Sequence, residues 1–204
     1  LDELPEFGRN VLEVLRQPLE DKTITISRAK YSVEYPSNFT LVAAMNPCPC
    51  GYYGTANHTC TCSETRRQQY MNRISGPMMD RIDLHVHLED VSWEQLTETE
   101  PGETSAEILK RVLAARKVQS ERYADFDFDT NSDIPSKYMA KFCQVTPKAS
   151  QILKKVFDNM NLSARSYDKV LKVARTIADL EGDDIINEMH ILEAVQYRDM
   201  DREV

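Results

Sequence analysis

No stretch of the 204 residues is a continuous apolar run of the ~18 or more that a membrane-spanning helix requires. No charged, apolar, small-residue leader precedes the body, so the expected location is cytoplasmic and no membrane partner is expected. Internal repeats and low-complexity blocks are missing as well. None of the six glycines is followed by lysine, so the chain has no Gly-x-x-x-x-Gly-Lys-[Ser/Thr] loop to cradle nucleotide phosphates. A surplus of positive charge is also lacking. With 25 Lys and Arg against 33 Asp and Glu the formal charge is −8, which argues against polyanion binding by the whole surface but leaves room for a local basic face. The acid is concentrated between Glu89 and Glu107 and between Asp179 and Glu203.

The length allows one or two compact units. Apolar residues at helical spacing predict a helix over Gly8 to Leu19, ended or kinked by Pro18. Thr23 to Ser27 and Tyr31 to Tyr35 alternate with period two and predict a β-hairpin tipped by Arg28 and Lys30. Phe39 to Met45 reads as a strand buried on both faces, ending at Asn46. A Cys-, Gly- and Pro-rich loop, a helix over Glu64 to Ile74, a break at Gly76-Pro77 and a strand over Ile82 to Leu88 follow. After Pro101-Gly102 only helices are expected. They cover Ser105 to Tyr123, with Ser105 as cap, then Pro135 to Phe142, Pro147 to Met160, Ser163 to Glu181 and Ile186 to Arg198, with a polar-aromatic linker at 125–129 and a helix stop at Gly182. Trp93, Cys143 and the methionines read as core, and ligand roles for His85 and His87 are not expected.

Two constellations carry chemistry. Cys48-Pro49-Cys50 and Cys60-Thr61-Cys62 can bring four thiolates onto a tetrahedral structural Zn²⁺. His58 replacing one thiolate, two disulfides, and free thiols are the alternatives; a cytosolic compartment disfavours disulfides. The second constellation is an order of parts: Leu1-Asp2-Glu3-Leu4-Pro5-Glu6-Phe7, then Ala43-Ala44-Met45-Asn46-Pro47-Cys48-Pro49-Cys50-Gly51, then Arg73-Ile74-Ser75-Gly76-Pro77-Met78-Met79-Asp80-Arg81-Ile82-Asp83, then Leu162-Ser163-Ala164-Arg165-Ser166-Tyr167. Taken singly, Asp2-Glu3 is an ordinary solvated acidic pair and Asn46 a turn residue before proline.

In that order and wording the chain resembles the AAA+ ATPases of the magnesium-chelatase-like ComM/YifB type over essentially its whole length. The resemblance implies a fold of α/β plus all-α class: a truncated P-loop parallel core with a hairpin insertion and a zinc loop, then a helical lid. The implied domains are 1–100 for the later half of the core, 101–130 for a connecting helix and linker, and 131–204 for the lid. It further implies Asp2 and Glu3 as Walker B acids acting on Mg²⁺ and the attacking water, Asn46 as sensor 1, and Arg165 as sensor 2 on ATP. Arg81 is implied as an arginine finger reaching the neighbouring subunit, with Arg73 as its runner-up and an ion pair to Asp80 or Asp83 as the plain alternative. The parent would be a ring, expected hexameric, that remodels DNA by helicase-like branch migration. Arg28 and Lys30 would contact DNA, or be an ordinary charged turn; Arg66 and Arg67 could extend the surface. Because the family places the phosphate cradle upstream of Walker B, the chain is expected to be a fragment that does not hydrolyse ATP alone. A metal-chelatase-type motor acting on a protein, and a zinc-stabilised binding module without motor activity, are the other readings.

Overall fold

The computed structural model describes residues 1–55, 57–89, 91, 93, 97, 102–160 and 162–198. The chain divides into two compact units: Leu1–Ile82 with His87–Val91, and Asp83–Val86 with the described residues from 93 onward.

In the first unit, residues 1–4 lie alongside 42–44. The Leu1 amino group donates to the Val42 carbonyl at 2.7 Å, Ala44 N–H to the Leu1 carbonyl at 2.8 Å and Leu4 N–H to the Ala44 carbonyl at 2.9 Å. One residue bridging two that lie two apart is the parallel pairing pattern. Glu3 then turns into the left-handed region (φ 51°), and Leu4–Glu6 forms a single 3₁₀ turn. The helix expected over Gly8 to Leu19 is two, α1 (Arg9–Val14) and α2 (Arg16–Asp21), broken at Leu15 rather than at Pro18. The cause is still Pro18: its ring crowds the carbonyl four residues back, that of Val14, and offers no N–H to it.

The hairpin forms where the alternation placed it, from β1 (Thr23–Arg28) and β2 (Tyr31–Pro36), paired antiparallel from Thr23↔Pro36 to Arg28↔Tyr31. It is the only sheet among the described residues. The expected strand at Phe39–Met45 contributes only its pairing with residues 1–4. A strand that apolar needs neighbours on both edges and cover on both faces; with one partner segment, Phe39 and Val42 stay exposed. After the cysteine loop come α3 (Glu64–Met71), capped by the Ser63 hydroxyl, and α4 (Gly76–Met79), capped by Ser75. Gly76-Pro77 therefore opens a helical turn instead of interrupting the chain, as proline at the first positions of a helix permits.

The second unit is helical. Asp83–Val86 belongs to it: Lys169 pairs with Asp83 at 2.7 Å and His85 N–H donates to the Tyr197 carbonyl at 2.8 Å, so the strand expected over Ile82 to Leu88 does not form. Helix α5 (Ser105–Arg122) is capped by Thr104, not Ser105, because Glu107 sits at the position from which a carboxylate reaches back to the Thr104 N–H, at 2.9 Å. A 3₁₀ turn at Ser136–Tyr138 leads into α6 (Met139–Phe142), followed by α7 (Pro147–Met160), α8 (Ala164–Glu181) and α9 (Glu188–Gln196). Gly182 ends α8 in the left-handed region (φ 81°), open to glycine at no steric cost.

The core of this unit joins Tyr123, Ile134, Leu153, Val170, Ala174, Ile186 and Ile191, with Cys143 buried among them. Burial pushes the Cys143 thiol up to about 11. The aromatic residues of the 125–129 linker are packing residues, Phe126 and Phe128 meeting the rings of Tyr138 and Phe142. Trp93 departs from its expected core place and is 74% exposed, in an acidic stretch with little apolar company. The described residues thus form a mixed α/β fold with one small sheet and several helices. No described helix is long and apolar enough to cross a membrane.

Candidate functional site

The turn at Cys48-Pro49-Cys50-Gly51 is closed by a Gly51 N–H to Cys48 carbonyl hydrogen bond, with Gly51 at φ 84°. Only glycine takes that conformation freely, and it folds Cys50 back beside Cys48. The second pair, Cys60 and Cys62, meets the first just before α3. The sulfur separations are 3.3 Å for Cys48 to Cys50, 3.7 Å for Cys48 to Cys60 and 3.6 Å for Cys50 to Cys60, and all four sulfurs lie within 4.8 Å of one another.

That geometry sets aside two of the sequence alternatives, the disulfides and His58. A disulfide needs sulfurs about 2.05 Å apart, and all five cysteines are free. Zinc–sulfur bonds of about 2.3 Å require tetrahedral edges of about 3.8 Å, close to the separations found. His58 lies tilted against Tyr52, 4.6 Å between ring centroids, and is not in the cluster. Four cysteines could therefore hold a metal such as zinc.

Their surroundings act in opposite directions on two of them. Backbone N–H groups of Tyr52 and Thr61 aimed at the Cys50 sulfur hold its thiol down at about 5, while burial pushes the Cys62 thiol up to about 11. Arg67 braces the loop: it donates to the Cys62 carbonyl at 3.1 Å, pairs with Glu64 and lies 4.3 Å over the Tyr53 ring. Arg66 is exposed.

A second cluster, Glu181, Asp183 and His190, lies in the helical unit. His190 Nδ1 accepts the Asn187 N–H at 3.1 Å, so Nε2 carries the proton and donates to Glu181 at 2.7 Å. The ring completes the α9 capping box and has no lone pair left for a metal.

Of the residues expected to act on nucleotide, Asp2, Glu3 and Asn46 are exposed and emerge at the same end of two segments paired in parallel. The Asp2 carboxylate accepts the Glu3 N–H at 2.9 Å. Arg81 is not paired with Asp80 or Asp83. Its Nη2 pairs with Glu20, its Nε donates to the Arg16 carbonyl at 3.2 Å and its Nη1 to the Pro77 carbonyl at 2.6 Å, leaving the side chain 12% exposed. Arg73 is more open and pairs with Glu6 at 2.8 Å beside a cleft lined by Pro5, Phe7, Arg9 and Asn72. Arg165 is exposed in the first turn of α8. Arg28 and Lys30 are exposed at the hairpin turn.

Glu20 was not singled out by the sequence; its place on the α2 face toward Arg81 has no local signature. Neither was Asp179, which lies in a stretch read only as acidic. Its side chain is fully buried between Arg122 and Arg175, with further hydrogen bonds from Asn131 and Gln119. Arg175 is 1% exposed and also donates to the carbonyls of Asp183 and Asp184.

Comparison with known proteins covers nearly the whole chain. The family described as magnesium chelatase, subunit ChlI, matches residues 1–96, and that described as magnesium chelatase, subunit ChlI C-terminal, matches residues 102–198. The chain is 44% identical to competence protein ComM of Haemophilus influenzae over 204 residues, 99% of this chain and 39% of that protein. To uncharacterized protein YifB of Escherichia coli it is 42% identical over 203 residues, again 99% and 39%. An uncharacterized protein of Mycobacterium tuberculosis is 33% identical over 182 residues, 89% of this chain and 36% of its own length. The chain thus spans about two fifths of the length of these relatives.

Proposed function

The chain belongs to the magnesium-chelatase ChlI family, in the branch that includes ComM and YifB, and we propose that it is the later part of a ring-forming, ATP-driven AAA+ motor that remodels DNA. The observation that carries this reading is the pairing of residues 1–4 with 42–44, which delivers two carboxylates and an amide to one end of the paired segments. Exposed carboxylate oxygens suit a hard cation such as Mg²⁺. Bound Mg²⁺ and ATP would supply the phosphoryl group and the charge that draws it forward. Asp2 would hold a metal-bound water, Glu3 would orient the attacking water and Asn46 would donate its amide to the γ-phosphate side. Arg165 would close from the lid, and Arg81 would act on the neighbouring subunit's nucleotide, in a hexameric ring. The four cysteines would hold a structural Zn²⁺ with no open position. Arg28 and Lys30 would meet the phosphate backbone, consistent with a local basic tip on an acidic chain.

One observation favours the reading as a metal-stabilised binding module instead: Arg81 is engaged by Glu20 within its own chain. The test is made in the protein expressed from its whole gene. Glu3→Gln is expected to keep ATP binding while abolishing turnover, and Arg81→Ala to lower turnover about 10³- to 10⁵-fold without loss of binding. Unchanged turnover in Glu3→Gln would end the motor reading. Unchanged turnover in Arg81→Ala alone would move the finger to Arg73.

A further inference from the structure

The two faces of the hairpin carry different chemistry. The register sets Ile24 opposite Tyr35, Ile26 opposite Val33 and Arg28 opposite Tyr31, and side chains alternate along each strand, so these six share one face. Thr25, Ser27, Ser32 and Glu34 occupy the other, where the Ser27 and Ser32 hydroxyls meet at 2.9 Å. The first face is aromatic and aliphatic, has a cation at its outer end and contains no carboxylate. All of it is exposed, Tyr31 at 57% and Tyr35 at 52%.

A two-stranded hairpin is marginal in water on its own, and an apolar face left bare makes it more so. Something of matching chemistry is expected to cover it. An apolar helix or a second copy would cover the aliphatic residues but would set Arg28 and the adjacent Lys30 against apolar surface or against their own like charges. A strand with unstacked bases and a phosphate backbone satisfies both features. Tyr31 and Tyr35 stand four residues apart on β2, about 13 Å at ~3.3 Å per residue. That is too far to sandwich one base, so each ring takes its own.

We propose that this face binds single-stranded nucleic acid, with bases stacked on Tyr31 and Tyr35 over the Ile26–Val33 floor and a phosphate paired with Arg28. The proposal rests on the reading of the hairpin as a nucleic-acid surface and adds to it a preference for single strands. Duplex DNA hides its base faces and offers the tyrosines nothing to stack on.

The test uses the protein, a labelled oligothymidylate and a labelled duplex. Tyr31→Ala and Tyr35→Ala are each expected to weaken oligothymidylate binding about 5- to 150-fold, the range of one lost stacking contact. Salt dependence and duplex binding should stay as they were, and Tyr31→Phe and Tyr35→Phe should bind like wild type, which also controls for hairpin folding. Arg28→Ala with Lys30→Ala should weaken both ligands and flatten the salt dependence. Unaltered oligothymidylate binding in both alanine variants, with the Arg28/Lys30 change still effective, overturns the stacking face and leaves the underlying reading intact. If the Arg28/Lys30 change is silent too, both fall. A dimer lost on Tyr35→Ala, in a protein that binds no oligothymidylate, makes the occupant a second copy and overturns the proposal.

Discussion

Ala149, Ile186, Ile191 and Ala194 of the helical unit are sealed from solvent, whereas Val14 and Val42 of the first unit are 73% and 76% exposed. Both units contain ample apolar residues, so composition does not separate them. What separates them is how many of the apolar residues are buried together within the unit. In the helical unit α6, α7, α8 and α9 converge on one core, while Ile108, Leu109, Val112 and Leu113 of α5 stay exposed. The first unit has a smaller buried group, Leu4, Leu12, Tyr70, Ile74, Met78 and Met79 with Cys48 and Cys62. The four-sulfur cluster, which could hold a metal, also lies in this unit.

Metal removal is the largest expected effect on that contrast. Apparent binding energies for structural zinc in small domains are about 10–16 kcal/mol near neutral pH, more than the first unit's small core can supply. Purified protein is expected to hold about one zinc per chain. Chelation should abolish the cooperative melting of the first unit while the helical unit melts where it did before. A metal-free protein in which both transitions are unmoved would show that the first unit needs no such support.

The sequence disclosed the second unit better than the first, for reasons visible in particular residues. Helix spacing over Pro147–Met160 reflects local contacts that this chain contains in full, and that helix spans the same residues in the structure. The hairpin at Thr23–Pro36 was also legible, since its pairing is local. Phe39–Met45 was not, because a buried strand is defined by neighbours far away in the chain. The cysteine pairs announced a possible metal site, but only their positions in space removed His58 and the disulfides from consideration. Asp179 and Glu20 were invisible for the opposite reason to the cysteines: an acid on a helix is ordinary until the cation facing it is known.

Asp179 offers the next largest effect, confined to the helical unit. Burial alone would raise its carboxyl, but hydrogen bonds from Arg122 and Asn131 and the charge of Arg175 outweigh that and hold it below the usual carboxylate range. Asp179→Asn leaves two arginines facing a neutral amide, with an expected loss of about 3–5 kcal/mol. The pH dependence has a definite sign. A carboxylate that is harder to protonate folded than unfolded adds stability that is complete above its unfolded pKa, near 4, and lost as the pH falls through the lower folded value. Acid melting of the helical unit should therefore steepen below about pH 4 in wild type and flatten in Asp179→Asn. Equal acid sensitivity in the two proteins would assign the effect to other carboxylates.

The smallest effect is the sharpest discriminator between the units. Ile186→Ala in the helical core should cost about 2–5 kcal/mol, because a fully buried side chain leaves a cavity that its neighbours fill only in part. Val42→Ala, in the 204-residue chain, should change stability by no more than about 0.5 kcal/mol, since water already covers most of the valine. Its backbone pairing with Leu1 survives the substitution, so the loss measures the side chain alone. A Val42→Ala cost approaching that of Ile186→Ala would mean that the apolar face of 39–45 is covered in solution. The contrast between a helical unit with a large core and a first unit with bare faces would then have to be abandoned for that segment.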